Sequence, residues 1–556
     1  MIHAKLELKI ADIRRTFQNN RFLKRTLPFV IGALALIWFM VRVIPKPQRA
    51  SYPCMKVAYP LMSGLVIWIL GITGISASVK LFFNNLRNKK YLFALGAVVM
   101  FAGLSILFSI YHSDPLYANV DQKEPVHISN APFGVPQGVI PGRVVWTWNP
   151  DATNENCTND LTKNDGYFLA KNSNQEVIDK MVATSILHVI DTKSQKKAWD
   201  AIFRYFNKQK RKSDKGYVNT ETIFIKINQC SANSNTNSDL TRRKGSLGIT
   251  ETSPQIIIAV LKQLVNVAGV PQNKIIVADP ITHIYSDNYE ILHKEFPDVN
   301  YGDRSKAASV YGRTFLAPET IPVLFYSDNG TVMSNPSDCL YSDMQNADYM
   351  INIAALKAHN AAGVTFCAKN HFGSITRKDA SHLHPGLVES TREDQRYRFE
   401  YGMYRVQVDL MGSKYLGRNT LLCIVDGLWG GPNAGDAPIK WMMTPFNNDW
   451  PNSIFVSQDQ VALESVCFDF VRNEAKVGLP EWNNLPNMAQ GVDDYLHQAA
   501  SKENWPKGIT YDPDKSGTPI PSLGVHEHWN NPVDKNYLGN MGKSNGIELV
   551  KILARK

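Results

Sequence analysis

The chain has 556 residues and a formal net charge of +10, from 60 Lys and Arg against 50 Asp and Glu side chains. Residues 1–112 carry 15 of the basic and 2 of the acidic side chains, so residues 113–556 carry 45 and 48. A nucleic-acid-binding domain needs a basic face on its folded part. The near-neutral balance after residue 112 therefore argues against DNA or RNA as a partner.

The N-terminal fifth of the chain contains three apolar stretches. Val57–Val79 and Tyr91–Tyr111 hold no charged residue over 23 and 21 positions, and about 20 apolar residues suffice to cross a bilayer. The first stretch, Pro28–Val41, is shorter and spans only if Arg42 reaches the interface. We predict three transmembrane helices within residues 28–112, which place the protein in an inner or plasma membrane with the bilayer as a partner.

The orientation of the large domain depends on the number of spans. Residues 1–27 form a basic lead that should stay in the cytoplasm. Three spans then place the large domain outside the cytoplasm, whereas two spans leave it inside. We expect the extracytoplasmic arrangement, and this expectation rests on the first apolar stretch.

The remainder divides into a linker, a domain and an extension. Five prolines and no apolar periodicity mark residues 113–142 as a linker. Residues 143–490 are predicted to form an α/β domain, with residues 491–556 packed on it as a C-terminal extension. Within this extension Asp512–Asn545, rich in Pro, Gly and Asn, is expected to wrap the domain as irregular structure.

Short apolar strands alternate with amphipathic helices through this domain. The predicted strands are Val144–Trp148, Thr222–Asn228, Lys274–Asp279, Ile321–Tyr326, Tyr349–Ala354, Leu421–Asp426 and Ser453–Val456. The predicted helices are Glu176–Ile190, Lys196–Asn207, Gln255–Ala268, Thr391–Met411 and Gln460–Val471, the last opened by a capping box that starts at Ser457. This alternation predicts an α/β fold with a mostly parallel sheet and helices on both faces, and the length allows two lobes.

Several of these strands end in polar residues. Lys226 and Asn228 end one strand, Asp279 ends another, Lys357 and His359 follow a third, and Asp426 ends a fourth. Ligands of open α/β folds collect at the carboxyl edge of the sheet, so we expect a site there. The alternative is that each polar residue merely begins a loop.

Three lysines suggest the chemistry of such a site. Lys226, Lys357 and Lys369 would form a positive pocket for a small anionic ligand, a carboxylate or a phosphate. A partly desolvated lysine can also act as a base or nucleophile. We predict Lys357, His359 and Asp426 as catalytic residues, and Lys226, Asn228, Lys369 and Asp459 as substrate-binding residues. Asp459 has an alternative role, because it lies at the first turn of a helix where a carboxylate stabilises the dipole.

A His-x-His pair offers ligands for a metal. On an extended segment His382 and His384 would point to one side, and with His359, His371 or Asp426 they could hold a divalent metal ion. Two histidines in a polar loop need not be ligands at all. No Cys-x-x-Cys pair occurs among the seven cysteines, so no iron–sulfur cluster is expected.

The chain resembles an uncharacterised family, domain of unknown function 362. The resemblance rests on IFIKIN, KIIVADP, DYMINIAALKAH, GVTFCAKNHFG, LLCIVDG and SQDQVALESV, in this order. It implies an α/β domain and adds Asn370 and Gly373 to the expected site positions, with Asn370 as a substrate-binding residue. Some members carry a ferredoxin-like iron–sulfur portion, for which this chain lacks the cysteines.

Two functions follow from these features. The first is a membrane-anchored enzyme that acts on a small anionic or carbonyl-bearing substrate. The second is a membrane-tethered binding or assembly module that docks a protein partner in the cell envelope. The sequence does not identify the reaction.

Overall fold

The computed structural model describes residues 131–246, 248–477, 482, 485–543 and 545–554, together with Asn85, Arg87 and Asn88. The chain divides into two units, Met1–Val120 and Asp121–Lys556. Apart from Asn85, Arg87 and Asn88, the region of the basic lead and the three predicted transmembrane helices lies outside the described residues. Within the described part of the chain, no helix has both the length and the apolar character needed to cross a bilayer.

The second unit contains strands of very different lengths. They are β1 (Phe133–Gly134), β2 (Arg143–Trp148), β3 (Ile223–Lys226), β4 (Ile275–Ala278), β5 (Asn300–Asp303), β6 (Thr314–Phe315), β7 (Leu324–Phe325), β8 (Ser337–Asp338), β9 (Tyr349–His359), β10 (Gly363–Thr365), β11 (Thr420–Gly431), β12 (Ser453–Ser457), β13 (Val525–His526) and β14 (Glu548–Leu553).

Its α-helices are α1 (Gln175–Ile190), α2 (Gln195–Arg211), α3 (Pro254–Lys262), α4 (Ser286–Glu295), α5 (Ser342–Gln345), α6 (Cys367–Asn370), α7 (Val406–Gly412), α8 (Gln460–Lys476) and α9 (Leu485–Ala500). Side chains cap several of them. Asn174 accepts a hydrogen bond from the backbone of Val177 at the start of α1, and Ser194 accepts one from Lys197 at the start of α2. A π-helix, Gln263–Ala268, continues α3.

One large sheet organises the unit. Its strand order is β14-β2-β12-β11-β9-β3-β4-β5-β6, and β10 pairs with β9 as a hairpin. Along this order β12 runs antiparallel to both of its neighbours, and the other pairs are parallel. All residues of β3 and β4 are buried, as expected for parallel strands covered on both faces. The predicted α/β fold with a mostly parallel sheet is confirmed.

Two hydrophobic cores lie on the two faces of this sheet. Ile223 and Ile225 of β3 belong to a core that includes residues of α1, α2, α3 and α4. Phe224, between them, belongs to the other core, which includes residues of α7, α8 and α9. This alternation follows from the two-residue period of a strand, and it leaves the ends of the strands as the place where polar side chains can gather.

Two local predictions were wrong. The predicted helix Thr391–Met411 is helical only as the short 3₁₀ turn Glu393–Gln395 and as α7. Long-range contacts override helix propensity there: the backbone N–H of Arg398 donates to the Val388 carbonyl, and the buried Arg405 guanidinium donates to Asp494 Oδ2 at 2.7 Å. The cap of α8 is Asp459 rather than Ser457, and its Oδ1 accepts from the Ala462 backbone at 2.9 Å.

Strands occur in the predicted linker and in the predicted C-terminal extension, within the described residues. Residues 133–134 of the predicted linker form β1, which pairs with β13. The strand β14 adds to the edge of the large sheet beside β2, and α9 runs across the predicted boundary at residue 490. The six described cysteines are all free thiols, and Cys367 and Cys423 are buried.

Candidate active site

A cavity of about 210 Å³ lies where β3, β4 and β9 end. Residues from these strand ends, from β10 and from the turn that contains α6 line it. Its lining includes Asn228, Asp279, Lys357, His359, Lys369 and Asn370. Five of these six residues were predicted as site residues from the sequence. The cavity occupies the carboxyl edge of a parallel sheet, the position at which α/β folds bind ligands.

Lys226 forms the floor beneath this cavity. Its Nζ lies 2.9 Å from Asp279 Oδ1 and 2.9 Å from Asn370 Oδ1, and it also donates to the Ile227 carbonyl at 2.6 Å. The side chain is fully buried, and this burial lowers its pKa despite the opposing effect of Asp279. With three acceptors around its three N–H donors, Lys226 positions Asp279 and Asn370 rather than presenting a charge to the cavity.

Gly373 lies directly against this ion pair. A Cβ atom at position 373 would stand 2.2 Å from Asp279 Oδ1 and 2.8 Å from Lys226 Nζ. No side chain fits there without displacing one of the two charged groups. The position implied by the family resemblance therefore has a steric explanation in this chain.

Lys369 presents its amine to the cavity. Within the described residues its Nζ makes no hydrogen bond or ion pair, and it lies 3.7 Å from the ring centroid of Phe372. Desolvation lowers the pKa of this half-buried lysine to about 7, and the ammonium groups of Lys357 and Lys226 add to the effect. A substantial fraction of Lys369 is therefore a neutral, nucleophilic amine near neutral pH.

His359 is held as a neutral imidazole with a defined tautomer. Its Nδ1 accepts from the backbone N–H groups of Ala361 at 2.9 Å and Ala362 at 3.2 Å. Desolvation lowers its pKa well below the usual value, and the charge of Lys369 lowers it further. Because Nδ1 is an acceptor, the proton resides on Nε2, which makes His359 a hydrogen-bond donor rather than a base.

Lys357 is anchored by backbone oxygens at one wall of the cavity. Its Nζ donates to the carbonyls of Thr250 at 2.5 Å and Ala434 at 3.1 Å, and lies 3.4 Å from Cys230 Sγ. Ala434 and Cys230 also line the cavity. Ala434 belongs to the glycine-rich segment after β11, so Lys357 connects that segment to the site. Its amine has carbonyl oxygens as partners and contributes positive charge.

Two buried polar atoms at the cavity lack partners among the described residues. They are Asn228 Oδ1 and Thr365 Oγ1, and both residues line the cavity. A buried polar group without a partner costs free energy, so each is a suitable contact for a bound polar molecule. Asn228 was predicted as a binding residue, whereas Thr365 and Cys230 were missed. Thr365 pairs with Lys357 in the β9–β10 hairpin. Its position as a polar residue within the apolar run GVTFCAKN is the sequence feature that could have identified it.

Asp426 lies outside the cavity lining. Its Oδ2 accepts from the backbone N–H and the hydroxyl of Ser253, both at 2.8 Å, and its Oδ1 accepts from Leu428 at 3.0 Å. Burial raises its pKa to about 6 against the effect of these hydrogen bonds. In this geometry Asp426 tethers the start of α3 to β11, and its predicted catalytic role stays a prediction.

Asp459 lies at the opposite edge of the sheet. Because β12 runs antiparallel, its end at Ser457 pairs with Cys423 near the beginning of β11. Besides capping α8, Asp459 accepts from the backbone of Gln137 at 2.8 Å and Val525 at 3.2 Å. The structure therefore does not bring Asp459 to the cavity that holds the other predicted binding residues.

The His-x-His segment forms a 3₁₀ helix, Ser381–Gly386, rather than an extended strand. His382 Nε2 lies 2.7 Å from Asp338 Oδ2, whereas the ring of His384 lies 6.2 Å from that of His359. Because the segment turns, the two rings meet different neighbours. His371 is buried beneath the cavity, where its Nε2 meets Asn352 Nδ2 at 3.1 Å. A group able to hold a metal occurs elsewhere among the described residues, at Asp493, His526 and His528.

Fold and cavity together define an α/β protein with a lysine- and histidine-lined site at the carboxyl edge of its sheet. Residues 232–469 match the model of the family described as Domain of unknown function (DUF362). The match confirms the resemblance read from the motifs. It includes Lys357, His359 and Lys369, and it begins after Lys226 and Asn228. No curated protein matches this chain.

Proposed function

We propose that the cavity is the active site of an enzyme that acts on a small carbonyl-bearing anion. The supporting observation is Lys369, a cavity-lining amine with a pKa of about 7 and no hydrogen-bond or ion-pair partner among the described residues. Lysines whose pKa is lowered by an apolar surrounding and neighbouring cations form imines with carbonyl substrates.

The proposed chemistry begins with the neutral amine. The lone pair of Lys369 Nζ attacks the substrate carbonyl carbon, the π electrons of the carbonyl move to its oxygen, and a proton passes from the nitrogen to that oxygen to give a carbinolamine. Loss of water then leaves an imine to Lys369. Protonated, this imine withdraws electrons from the adjacent carbon and so eases the breaking of a bond to that carbon.

His359 would assist the addition step. Its Nε2–H is available because Nδ1 is occupied by two backbone donors, and His359 lines the same cavity as Lys369. A neutral imidazole that donates to a developing oxyanion stabilises the negative charge that forms in the transition state. The low pKa of His359 keeps this group neutral across the physiological range.

The charge of the pocket favours an anionic substrate. Lys357 contributes an ammonium at the wall, and the carboxylate of Asp279 at the cavity is paired with Lys226. Asn228 Oδ1 and Thr365 Oγ1 add an acceptor and a hydroxyl that have no hydrogen-bond partner in the described part of the chain. A small oxo acid, with a carbonyl for Lys369 and a carboxylate for the positive field, matches these groups.

Borohydride trapping of the purified full-length chain tests this proposal. Incubation with a panel of small 2-oxo acids and a reducing agent should convert the imine to a stable amine, which mass spectrometry locates on Lys369. The variant K369R keeps a positive charge but cannot form the imine, and should lose the adduct. The variant K378R removes an exposed lysine beside cavity residue Asp379 and serves as the matched control.

The outcome also separates the enzyme from a binding module. Adducts restricted to exposed lysines, with none on Lys369 for any carbonyl compound, would contradict the proposal. A ligand that binds without chemical change and is lost in K369R would instead favour the module. The variant H359N retains an oxygen acceptor near the Nδ1 position and lacks the Nε2 donor, so it should slow adduct formation without abolishing it.

We also propose that residues 28–112 anchor this enzyme to a membrane, with the domain outside the cytoplasm. The apolar stretches Val57–Val79 and Tyr91–Tyr111 support the anchor, and the basic lead supports the orientation. Fractionation of cells that express the full chain should recover it with the membranes after alkaline washing. Protease added outside the inner membrane should digest the domain, and protection of the domain would reverse the orientation.

A further inference from the structure

A second cluster of ligand-type side chains lies between α9 and β13. Asp493 comes from α9, and His526 and His528 come from the C-terminal segment at β13. The two histidines are two residues apart, and their ring centroids lie 4.9 Å from each other. The spacing expected of a His-x-His ligand pair is therefore found at His526-Glu-His528 rather than at His382-Leu-His384.

The distances within this cluster suit one metal ion. His528 Nε2 lies 2.9 Å and His526 Nε2 lies 4.0 Å from Asp493 Oδ1, and one donor atom from each of the three residues falls within 4.8 Å of the others. Ligands at 2.0–2.1 Å from a tetrahedral zinc ion stand about 3.3 Å apart. Small side-chain rotations therefore suffice to bring the three donors onto one ion.

Outer contacts orient both imidazoles for this role. His528 Nδ1 lies 2.9 Å from Asp469 Oδ1, and His526 Nδ1 lies 2.8 Å from Ser465 Oγ. Metal-binding histidines usually donate their second ring N–H to a carboxylate or another oxygen, which fixes the tautomer. Both partners belong to α8, so a rigid element aims the two Nε2 atoms toward Asp493.

The cluster is largely buried, and with neutral imidazoles the two carboxylates and the guanidinium of Arg472 leave it a net charge of −1. The carboxylates of Asp469 and Asp493 flank His528, and Arg472 shares them at 2.7 Å from Asp469 Oδ1 and 3.9 Å from Asp493 Oδ2. His526 is fully buried, whereas the side chains of His528 and Asp493 are 17% and 12% exposed. The ring of His497, one turn after Asp493 on α9, packs edge-on against that of His526, with 4.7 Å between the ring centroids.

We infer that Asp493, His526 and His528 bind a divalent transition-metal ion, for which zinc is the best match. Two imidazole nitrogens and one carboxylate oxygen form a donor set that favours the binding of zinc over that of magnesium or calcium. The ion binds in place of the proton between His528 and Asp493, and that proton is released. Because the ligands come from α9 and from the segment at β13, the ion fastens the C-terminal region to the domain.

Metal quantification on the purified full-length chain tests this inference. After removal of metals by chelator and dialysis against zinc, we expect one zinc ion per chain. The variants D493N and H528N should lose this ion. D469N, which alters an outer contact of His528 and none of the three proposed ligands, should weaken zinc affinity about 10- to 100-fold. H382N changes a histidine that is likewise paired with a carboxylate, and should keep full stoichiometry.

Several outcomes would overturn the inference. They are a chain that binds no zinc, D493N and H528N variants that retain the ion, and loss of the ion in H382N instead. Should a variant fail to fold, X-ray absorption at the zinc edge of the wild-type chain identifies the atoms that bind the ion. We expect imidazole and oxygen ligands there, and a sulfur shell or a fully hydrated ion would contradict this site.

Discussion

Lys226 and Asp279 form an ion pair that is almost completely shielded from solvent, with 2.9 Å between Nζ and Oδ1 and side-chain exposures of 0% and 2%. Lys226 is the last residue of β3, and Asp279 directly follows β4, the adjacent parallel strand. Their pairing brings opposite charges to the floor of the candidate active site, and it fixes Asn370 and the backbone of Gln229 through further hydrogen bonds.

Removal of one partner from this pair should destabilise the domain strongly. K226M or D279N leaves an uncompensated or unsatisfied polar group in the interior, and a loss of about 3–5 kcal/mol in unfolding free energy is expected. The double variant K226M/D279L should cost less than the sum of its single variants. Urea denaturation followed by tryptophan fluorescence measures both effects.

The exposed pair Lys180–Glu176 provides the matched control. Its side chains are 72% and 79% exposed, and K180A should leave the unfolding free energy nearly unchanged, because exposed ion pairs contribute little. If K226M proves as mild as K180A, the buried pair does not organise the floor of the cavity.

Gly373 should tolerate no side chain. The Cβ of G373A would clash with Asp279 Oδ1 and Lys226 Nζ, so we expect a loss of about 1–3 kcal/mol together with loss of the Lys369 adduct. Position 435 is the matched control, because a Cβ there meets no atom within 4 Å. Thermal unfolding of G373A and G435A compares the two, and equal midpoints would mean that the turn moves aside freely.

The reactivity of Lys369 should depend on pH in a distinctive way. Only the neutral amine reacts, and with a pKa of about 7 the neutral fraction rises through neutral pH and saturates above pH 8. The reactivity of an ordinary solvated lysine amine, with a pKa of about 10.4, keeps rising toward pH 10. Rates of reductive methylation at Lys369 and at the exposed surface lysines, measured by peptide mass spectrometry, test this difference. A profile for Lys369 that parallels those of the surface lysines would show that Lys369 is an ordinary solvated amine.

The variant D426N separates a structural role for Asp426 from a catalytic one. An amide keeps one acceptor oxygen but turns an NH₂ group toward the donors of either Ser253 or Leu428. A loss of about 1–3 kcal/mol in unfolding free energy is therefore expected. Adduct formation at Lys369, measured on the folded fraction, should change little. A drop of a hundredfold or more in a fully folded variant would support the predicted acid–base role instead.

Much of the fold could be read from local sequence. β3, β4, β9 and β11 are apolar runs flanked by polar residues, and helices α1 and α2 show capping residues and apolar periodicity. These signals depend on neighbours within a few positions. The predicted helix over residues 391–411 failed because Arg398 and Arg405 take partners far along the chain or in irregular turns.

The sequence predicted the site only in part, because contacts between residues far apart in the chain also determine which polar side chains line the cavity. Sequence identified the polar residues at strand ends, and the structure brings Asn228, Lys357, His359, Lys369 and Asn370 to one cavity. It places Asp426 and Asp459 elsewhere, although each also comes after a run of apolar residues, and Asp426 lies within β11 rather than at its end. Whether such a carboxylate faces a cavity or a helix N-terminus depends on contacts such as Asp426–Ser253, which are separated by 173 positions.

The sequence by itself determined the alternation of buried strands and helices, the separation of a basic N-terminal part from a near-neutral domain, and the set of lysines and histidines available for chemistry. Tertiary structure alone decided which of these groups meet. The antiparallel direction of β12 carries Asp459 to the far edge of the sheet, and the packing of α9 against β13 brings Asp493 to His526 and His528. These outcomes depend on strand direction and long-range packing. Hydrophobic burial determines which face of a strand or helix points to the core, but it does not determine which polar side chains come into contact.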